Sequence, residues 1–214
     1  MKLVLVLAAM LALTVCQDPP VWPDAFEEAF DEKFIQNNIT FEVNGIMYYD
    51  AANNRSRLDR FNGRYDMFCS SLVPNVTTPC TNLVVEGKRW IIFPQRSQCC
   101  FCCDSAHGCG ILKPNWLEGA VYLKDDVIDG VTYHKWNKQG DVGYNYYWSS
   151  ADDNNYPRRL DENGAHITEY NVHSYRKRPQ DPKLFALHAY CKDPCPTATI
   201  CGKLRGEQPN IRTE

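Results

Sequence analysis

Short apolar and aromatic runs alternate with turn signals along most of this 214-residue chain. This pattern is typical of an antiparallel β meander, in which each turn reverses the chain between neighbouring strands. The turn signals are Asn44-Gly45, Asn53-Asn54, Asn62-Gly63, Glu86-Gly87, Asp129-Gly130, Gln139-Gly140, the run 152–155 and Asn163-Gly164. The strands predicted between them are 46–49, 83–85, 89–93, 120–123, 131–137, 142–148 and 167–174.

The aromatic residues mark one candidate surface on the predicted sheet. Tyr144, Tyr146 and Trp148 occur at alternate positions, so they share one face of their strand. Trp136 lies on the strand just before it, and a hairpin-length loop joins the two. Small-ligand sites are concave and mostly apolar, so these four residues are the candidate ligand-binding residues. The alternative is that they belong to the ordinary core.

The segment around residues 26–34 has two interpretations. Phe26, Phe30 and Phe34 are spaced by four, and Pro23 precedes them, which favours a helix. The same three residues also share one face of a strand, because even spacings fit a period of two. Pro114 similarly suggests a single helical turn over residues 113–118.

The first 16 residues have the character of a secretory signal peptide. Lys2 precedes an apolar run of about 13 residues, which is shorter than the roughly 20 that a membrane span needs. Three glycosylation sequons, at Asn38, Asn54 and Asn75, lie in polar, turn-like stretches. The sequence therefore predicts a secreted glycoprotein, found outside the cell or in an endomembrane lumen such as a lysosome-like compartment. We expect no transmembrane segment.

The cysteines favour a disulfide framework. Without Cys16, which belongs to the predicted signal peptide, an even number remains, as a fully paired set requires. Neighbours such as Cys99 and Cys100 seldom bond to each other, so each cysteine of the central cluster is expected to reach a remote partner, which ties the cluster to Cys69 and Cys80 and to the C-terminal cysteines. The expected disulfide cysteines are Cys69, Cys80, Cys99, Cys100, Cys102, Cys103, Cys109, Cys191, Cys195 and Cys201.

Two other uses of these thiols remain open from the sequence. The C-x-x-C spacings of the cluster, with His107 and Cys109 nearby, could hold zinc. Cys109 beside His107 and Asp104 could also be a thiol nucleophile, although such partners usually meet through the fold. The oxidising compartment favours disulfides over both, so we expect no metal and no catalytic residue.

Charge and composition argue against two further classes of function, nucleic-acid binding and calcium binding. The formal net charge of −3 leaves no basic face for nucleic acid. The acidic pairs Asp125-Asp126 and Asp152-Asp153 lie in predicted turns, where solvation is favoured over calcium binding because the twelve-residue calcium loop is missing. We therefore expect a non-catalytic protein that needs no cofactor.

Several motifs also resemble a known family. Residues 26–32, 44–50 and 54–59 resemble the opening three strands of the ependymin and bacterial lipoprotein-carrier (LolA-like) superfamily. Asp129-Gly130, Trp136, the strand ending at Trp148, residues 157–160 and the close at 185–191 resemble its second half. The strings CCFCC at 99–103 and HGCGILKPNWL at 107–117 resemble cysteine-rich secreted homologues from protists.

This resemblance covers most of residues 22–205 and carries clear implications. It implies a mainly β fold, in which a curved, half-closed antiparallel sheet forms an incomplete LolA-like barrel with short helical segments, here stapled by disulfides. It also implies that residues 26–33 form a strand. The expected organisation is a signal peptide at 1–16, a single domain at 17–205 and a tail at 206–214. The implied function is to bind a hydrophobic or amphiphilic, lipid-like ligand in the hollow of the sheet. The alternative is an extracellular glycoprotein that contacts a protein partner.

Overall fold

One antiparallel sheet of eleven strands forms the fold, in a computed structural model that describes residues 17–75, 77–140, 143–152 and 155–207. The predicted signal peptide and residues 208–214 of the predicted tail lie outside these residues. The strands are β1 (Ala25–Gln36), β2 (Ile39–Asp50), β3 (Arg55–Arg60), β4 (Cys80–Val85), β5 (Lys88–Phe93), β6 (Gln98–Asp104), β7 (Val121–Ile128), β8 (Val131–Gln139), β9 (Tyr144–Ser150), β10 (Pro157–Glu162) and β11 (His166–Tyr170). The helices are α1 (Met67–Leu72) and α2 (Ile200–Leu204), and neither described helix is long and apolar enough to cross a membrane.

The sheet is curved but not closed into a barrel. Its order is β6-β5-β4-β3-β2-β1-β11-β10-β9-β8-β7, so β6 and β7 form its two edges. Asn82 of β4 and Leu160 of β10 are five strands apart, roughly 24 Å in a flat sheet. Both residues nevertheless line one cavity, which requires the sheet to bend around it. The expected mainly β, curved and half-closed architecture is confirmed.

The N-terminal aromatic segment is a strand, as the family resemblance implies and against the helical spacing. β1 pairs with β2 on one side and with β11 on the other. Phe26 and Phe30 are buried on the same face of β1, which is the concave or inner face of the sheet. The hairpin between β1 and β2 turns at Asn37 and Asn38, both in the left-handed region with φ of 51° and 60°. Asparagine tolerates this conformation better than most residues.

Gly45 shows why the predicted turn at Asn44-Gly45 is wrong. The residue lies in the middle of β2, opposite Phe30 on β1 and Arg60 on β3. A Cβ atom there would collide with the carbonyl oxygen of Asp59 and would lie 2.6 Å from Cζ of Phe30. The glycine is therefore needed for close approach of neighbouring strands and not for chain reversal.

Most predicted strands are present, with shifted ends. The strand predicted at 167–174 ends at Tyr170, and Val172–Ser174 form a 3-10 turn. Residues 113–118 form successive turns and not a helix. The apolar runs predict no strand at β3, β6 or β10, although the family resemblance implies β3. In β6, the run of cysteines has no clear alternation. Position 142, the predicted start of β9, lies outside the described residues.

The ten cysteines of the described residues form five disulfides. Three join β6 to the C-terminal segment, as the remote-partner hypothesis predicts. The expected links from the central cluster to Cys69 and Cys80 are wrong, because these two bond to each other. Cys103 also bonds to nearby Cys109 and not to a remote partner. The five pairs are Cys69–Cys80, Cys99–Cys191, Cys100–Cys195, Cys102–Cys201 and Cys103–Cys109.

A bulge in β6 explains how the crowded cysteines avoid one another. The register with β5 shifts between Arg89 and Trp90, which pair with Cys103 and Phe101. Cys102 is therefore an extra residue in the strand, as in a β-bulge. The bulge lets both Cys102 and Cys103 become fully buried in the same cluster, where strict alternation would place them on opposite faces.

The C-terminal segment wraps around the edge strand β6. Phe101 donates its backbone N–H to the carbonyl of Asp193 at 2.8 Å, and Cys195 donates back to Phe101 at 2.8 Å. Cys191 packs with the outer-face cluster around Phe185, whereas Cys195 belongs to the inner cluster with α1 and α2. One segment thus covers parts of both faces.

Gly45→Ala should destabilise the domain by about 1–3 kcal/mol, because the added methyl group has no room between β1 and β3. Chemical denaturation measures the free energy of unfolding. Asn44→Ala is the matched control, since Asn44 is exposed at the adjacent position. Equal stability of Gly45→Ala and Asn44→Ala would contradict the account.

Proteolysis of the unreduced protein should link peptides from 99–102 to peptides containing Cys191, Cys195 and Cys201. Mass spectrometry of the linked peptides, with thiol titration of the secreted protein in denaturant, makes the measurement. We expect no free thiol. A link from the 99–103 segment to Cys69 or Cys80, or two or more titratable thiols, would refute this pairing.

Candidate functional site

A large hollow lies on the inner face of the sheet and is the candidate functional site. Its volume is about 740 Å³, within the roughly 300–1,000 Å³ typical of small-ligand pockets. The walls come from β2, β3, β4 and β5 on one side and from β10 and β11 on the other. Its apolar lining includes Trp22, Met47, Tyr49, Leu58, Leu112 and Leu160.

The segment 105–114, the covering loop, lines the hollow from above the sheet. Tyr49 donates its hydroxyl hydrogen to the carbonyl oxygen of Leu112 at 2.7 Å. Trp22 donates its backbone N–H to the carbonyl oxygen of Pro114 at 2.9 Å. Leu112 itself is exposed, so the loop presents an apolar side chain at the border of the hollow. These contacts fix the loop to the sheet.

An aromatic cluster supports the apolar end of the hollow. Trp22 packs edge-on against Phe26, Tyr49 and Trp116, with ring centroids 5.3–5.6 Å apart. Its indole N–H donates to the hydroxyl oxygen of Tyr147 at 2.7 Å. Edge-to-face aromatic packing adds to the stability given by burial alone, so this end of the site is rigid.

The polar end of the hollow contains a buried ion network. Arg60 contacts the Glu32 carboxylate through two hydrogen bonds of 2.6 and 2.7 Å, and its Nη1 lies 3.4 Å from Asp66. Burial raises the pKa of Glu32, but Arg60 and His166 outweigh this effect and lower it to about 2. Burial lowers the pKa of Arg60, but Asp66 and Glu32 outweigh this and raise it. The positive charge of Arg60 is therefore balanced by the carboxylates of Glu32 and Asp66.

His166 is a second cation whose charge is already balanced. Its Nδ1 contacts the carboxylate of Glu162, and its Nε2 lies 3.5 Å from Glu32. Burial lowers the pKa of His166, but hydrogen bonds to Glu162 and Glu32 outweigh this and raise it to about 9. The imidazole is consequently protonated at neutral pH and paired with carboxylates.

Arg89 differs from both of these cations. Its guanidinium donates only to the carbonyl oxygens of Cys109 and Gly110, each at the long distance of 3.5 Å, and lies 4.8 Å from the ring of Phe68. Among the described residues, no carboxylate lies within ion-pair distance of it. The sequence does not mark Arg89 as a functional residue, because a lone arginine that lines a cavity looks the same in a predicted strand as an arginine exposed to water.

Glu28 is a buried carboxyl group at the centre of the inner face. It is 1% exposed, and neither carboxylate oxygen has a hydrogen-bond partner among the described residues. Burial raises its pKa to about 9, although Arg158 opposes this. The carboxyl group is therefore protonated at neutral pH. Burial also raises the pKa values of Tyr170 and Tyr175, and Glu28 adds to that effect.

The structure separates the four aromatic residues that the sequence grouped as one candidate site. Trp136 is opposite Tyr147 in the register of β8 and β9, and both are buried in the inner cluster. Tyr144, Tyr146 and Trp148 point to the opposite face, where Lys135 Nζ lies 4.6 Å from the last two rings. None of the four lines the hollow. Ligand binding by them stays a prediction.

The three glycosylation candidates are all at the surface. Asn38, Asn54 and Asn75 are exposed and adopt left-handed conformations, which suits turns. Asn54 also borders the hollow, so a glycan attached there would stand beside it. Whether any of the three carries a glycan stays a prediction.

The structure leaves no free thiol for the two alternative uses of the cysteine cluster. The sulfur atoms of Cys102, Cys103 and Cys109 lie within 4.8 Å of one another, but each is in a disulfide. A disulfide sulfur is neither a thiolate ligand nor a nucleophile. His107 instead contacts the exposed carboxylate of Asp104 at 2.7 Å.

The predicted acidic turns also differ in the structure. Asp125 and Asp126 lie within β7 and not in a turn. Asp125 accepts from His134 and Tyr122, and Asp126 contacts Lys124. Position 153 lies outside the described residues.

Comparison with known proteins gives a partial family match and several solved structures of low similarity. A family model described as a domain of unknown function (DUF8395) matches residues 86–174. No curated protein sequence matches the chain. An uncharacterised conserved protein from Thermus thermophilus is similar in structure, with 7% identity, a TM-score of 0.49, and coverage of 76% of this chain and 83% of that chain.

Two further solved structures come from the LolA superfamily and from lipoprotein sorting. A LolA superfamily protein from Nitrosomonas europaea has 12% identity and a TM-score of 0.37, covering 77% of this chain and 90% of that one. A domain assigned to outer membrane lipoprotein sorting, from Vibrio parahaemolyticus, has 8% identity and a TM-score of 0.37, covering 75% and 88%. The ependymin part of the expected resemblance has no counterpart among these matches.

Glu28→Gln should make stability less dependent on pH. Because the folded-state pKa of Glu28 is raised to about 9, the unfolded carboxyl group ionises first, and stability falls as pH rises from about 4.5 to 9. The glutamine amide cannot ionise, so the stability of the variant should fall less than that of the wild type over this pH range. Melting temperatures measured across pH 4–9 test this, with Glu118→Gln, an exposed position, as the control. Parallel profiles for Glu28→Gln and the wild type would contradict it.

Proposed function

We propose that the protein binds a hydrophobic or amphiphilic, lipid-like ligand in the hollow of its curved sheet. The observation that carries the proposal is the hollow itself, a cavity of about 740 Å³ with an apolar middle and a polar end. Small-ligand sites combine these features, because apolar walls supply affinity and few polar groups fix orientation. The described residues show no pairing of nucleophile, base and orienting group in the hollow, so the proposed role is binding and not catalysis.

The disulfides of the protein support a role outside the cytosol. Five disulfides are consistent with an extracellular or lumenal protein, since reducing compartments keep thiols free. The proposed signal peptide and glycans agree with that setting. An apolar molecule in such a compartment needs protection from water, which a cavity beneath a fixed loop provides.

Leu58→Trp tests the proposal directly. Leu58 lies on the inner face of β3 and lines the middle of the hollow, so a larger side chain should fill it. We expect the affinity for the neutral apolar dye N-phenyl-1-naphthylamine to fall about tenfold or more, roughly the contribution of a buried apolar side chain. Fluorescence titration measures the affinity, and thermal melting verifies that the variant folds.

Val127→Trp is the matched control for this experiment. Val127 is 71% exposed on β7 and does not line the hollow. The affinity of the Val127→Trp variant for the dye should therefore equal that of the wild type. A folded wild-type protein that takes up no dye would refute the proposed function. Unchanged uptake by a folded Leu58→Trp variant would show that the hollow is not where the dye binds.

A second candidate function is suggested by the hairpin of β7 and β8. β7 is an edge strand of the described sheet, and it carries exposed Val121, Leu123 and Val127, while β8 adds exposed Val131. Edge strands with apolar side chains can pair with another chain. Under this alternative, Val127→Lys should abolish co-purification of an extracellular protein partner and leave dye binding unchanged.

A further inference from the structure

Three cations lie at the polar end of the hollow, and two of them are held in ion pairs. Arg60 faces Glu32 and Asp66, and His166 faces Glu162 and Glu32, so these two cations share three carboxylates. With Arg89 included, the formal charges of the three cations and the three carboxylates balance. Arg89 lines the same hollow without an ion-pair partner among the described residues.

The nearest acidic group cannot serve as that partner. Burial lowers the pKa of Arg89, and the charge of Asp66 opposes this without outweighing it. The Asp66 carboxylate already accepts hydrogen bonds from the backbone of Phe68 and Cys69, and it also contacts Arg60. The described residues therefore compensate only part of the desolvation of the Arg89 guanidinium.

A second side chain at this end is also incompletely satisfied. Asn82 on β4 lines the hollow, is nearly fully buried and donates to Asp66 at 3.3 Å. Its side-chain oxygen has no partner among the described residues. Buried polar groups are normally hydrogen-bonded, so the Arg89 guanidinium has donor capacity left for an anionic group, and the Asn82 oxygen can accept a hydrogen bond from a hydroxyl group of a ligand.

We propose that the ligand is an anionic amphiphile whose head group, a carboxylate or a phosphate, pairs with Arg89 while its acyl chain lies along Met47 and Leu58. This inference rests on the proposed function and specifies its ligand class. The planar guanidinium forms paired hydrogen bonds with either anion, and it does so most strongly where water is excluded. The apolar wall that begins at Leu58 receives the chain; Leu58 lies on β3, two strands from Arg89 and opposite Asn82 of β4.

The orientation follows from the position of the two ends. The other two cations of the polar end are already neutralised, so a head group there would meet carboxylates. The aromatic cluster around Trp22 forms the opposite, apolar end. Lys113 also lines the hollow but is exposed, so water solvates its charge, whereas the Arg89 guanidinium is partly desolvated. The head group is therefore expected at Arg89, toward the disulfide cluster that contains Cys103 and Cys109.

Displacement of the neutral dye by three single-chain amphiphiles tests the inference. Palmitate carries a carboxylate, palmitoyl lysophosphatidate a phosphate, and monopalmitoylglycerol no charge; all are used below their micellar concentrations. We expect the wild type to bind at least one anion about tenfold or more tighter than the neutral lipid, as a charge-assisted pair predicts. The tighter of the two anions identifies the head group.

Arg89→Gln should remove this preference, so that the ratio of the affinities for the anion and for monopalmitoylglycerol, measured on the same variant, falls to about one. Arg89→Lys should keep part of it, because the charge remains. Arg64→Gln is the matched control, since Arg64 is exposed and stacks on Tyr65 outside the hollow. The inference would be overturned if the folded Arg89→Gln variant still preferred the anionic lipid. It would also be overturned if the variant lost affinity equally for charged and neutral lipids.

Failure of this inference is distinguishable from failure of the proposed function. A wild-type protein that binds monopalmitoylglycerol as tightly as both anions refutes the head-group role of Arg89 but keeps the hollow as a lipid site. A wild-type protein that binds neither the dye nor any lipid refutes both. Because the wild-type comparison needs no variant, the inference stays testable even if Arg89→Gln does not fold.

Discussion

Disulfides that hold the C-terminal segment against β6 are the constraint on which the rest of this structure depends. A sheet of eleven strands has two faces to cover, and the described chain has only two short helices to cover them with. Irregular segments must do that work, and fixing them costs conformational entropy. Cross-links that close loops of 92–99 residues lower this cost by restricting the unfolded chain. The same bonds bury Cys102 and Cys103 next to the polar end of the hollow.

The division of the inner face into an apolar and a polar part follows from strand register. Alternation brings Met47 and Leu58 together across β2 and β3, and one position along the same face it brings Gly45 opposite Arg60. The missing side chain at Gly45 leaves room for the ring of Phe30, and the Arg60 guanidinium lies 5.8 Å from the centre of that ring. A buried charge needs partners, and Glu32 supplies them from β1. The hollow thus combines apolar walls with charges that the sheet itself holds in place.

The fold was largely predictable from the sequence, whereas the site was not. Turn signals and short apolar runs predict a meander, and the family resemblance resolves residues 26–33 as a strand. Local patterns cannot show which strands become neighbours, so the pairing of β1 with β11 was not foreseen. The four aromatic candidates were grouped by chain proximity, but register places Trp136 and Tyr146 on opposite faces.

The features that the sequence does not predict share a physical cause. Arg89 and Glu28 matter because of what surrounds them, and burial of a charged residue leaves no mark on a local pattern. Gly45 was interpreted as a turn because Asn-Gly usually marks one, although here close packing between strands requires the glycine. The bulge at Cys102 could not be inferred either, since a run of cysteines hides the alternation.

The central claim is that the hollow, and no other surface, holds the amphiphile. Photo-crosslinking with a palmitate analogue that carries a diazirine near the end of its chain, followed by peptide mass spectrometry, locates the bound chain directly. The account predicts labelled peptides that contain Met47, Leu58, Leu112 or Leu160, and excess palmitate should suppress the labelling. Labelling confined to 144–148 or to the exposed hairpin at 121–131 would contradict it.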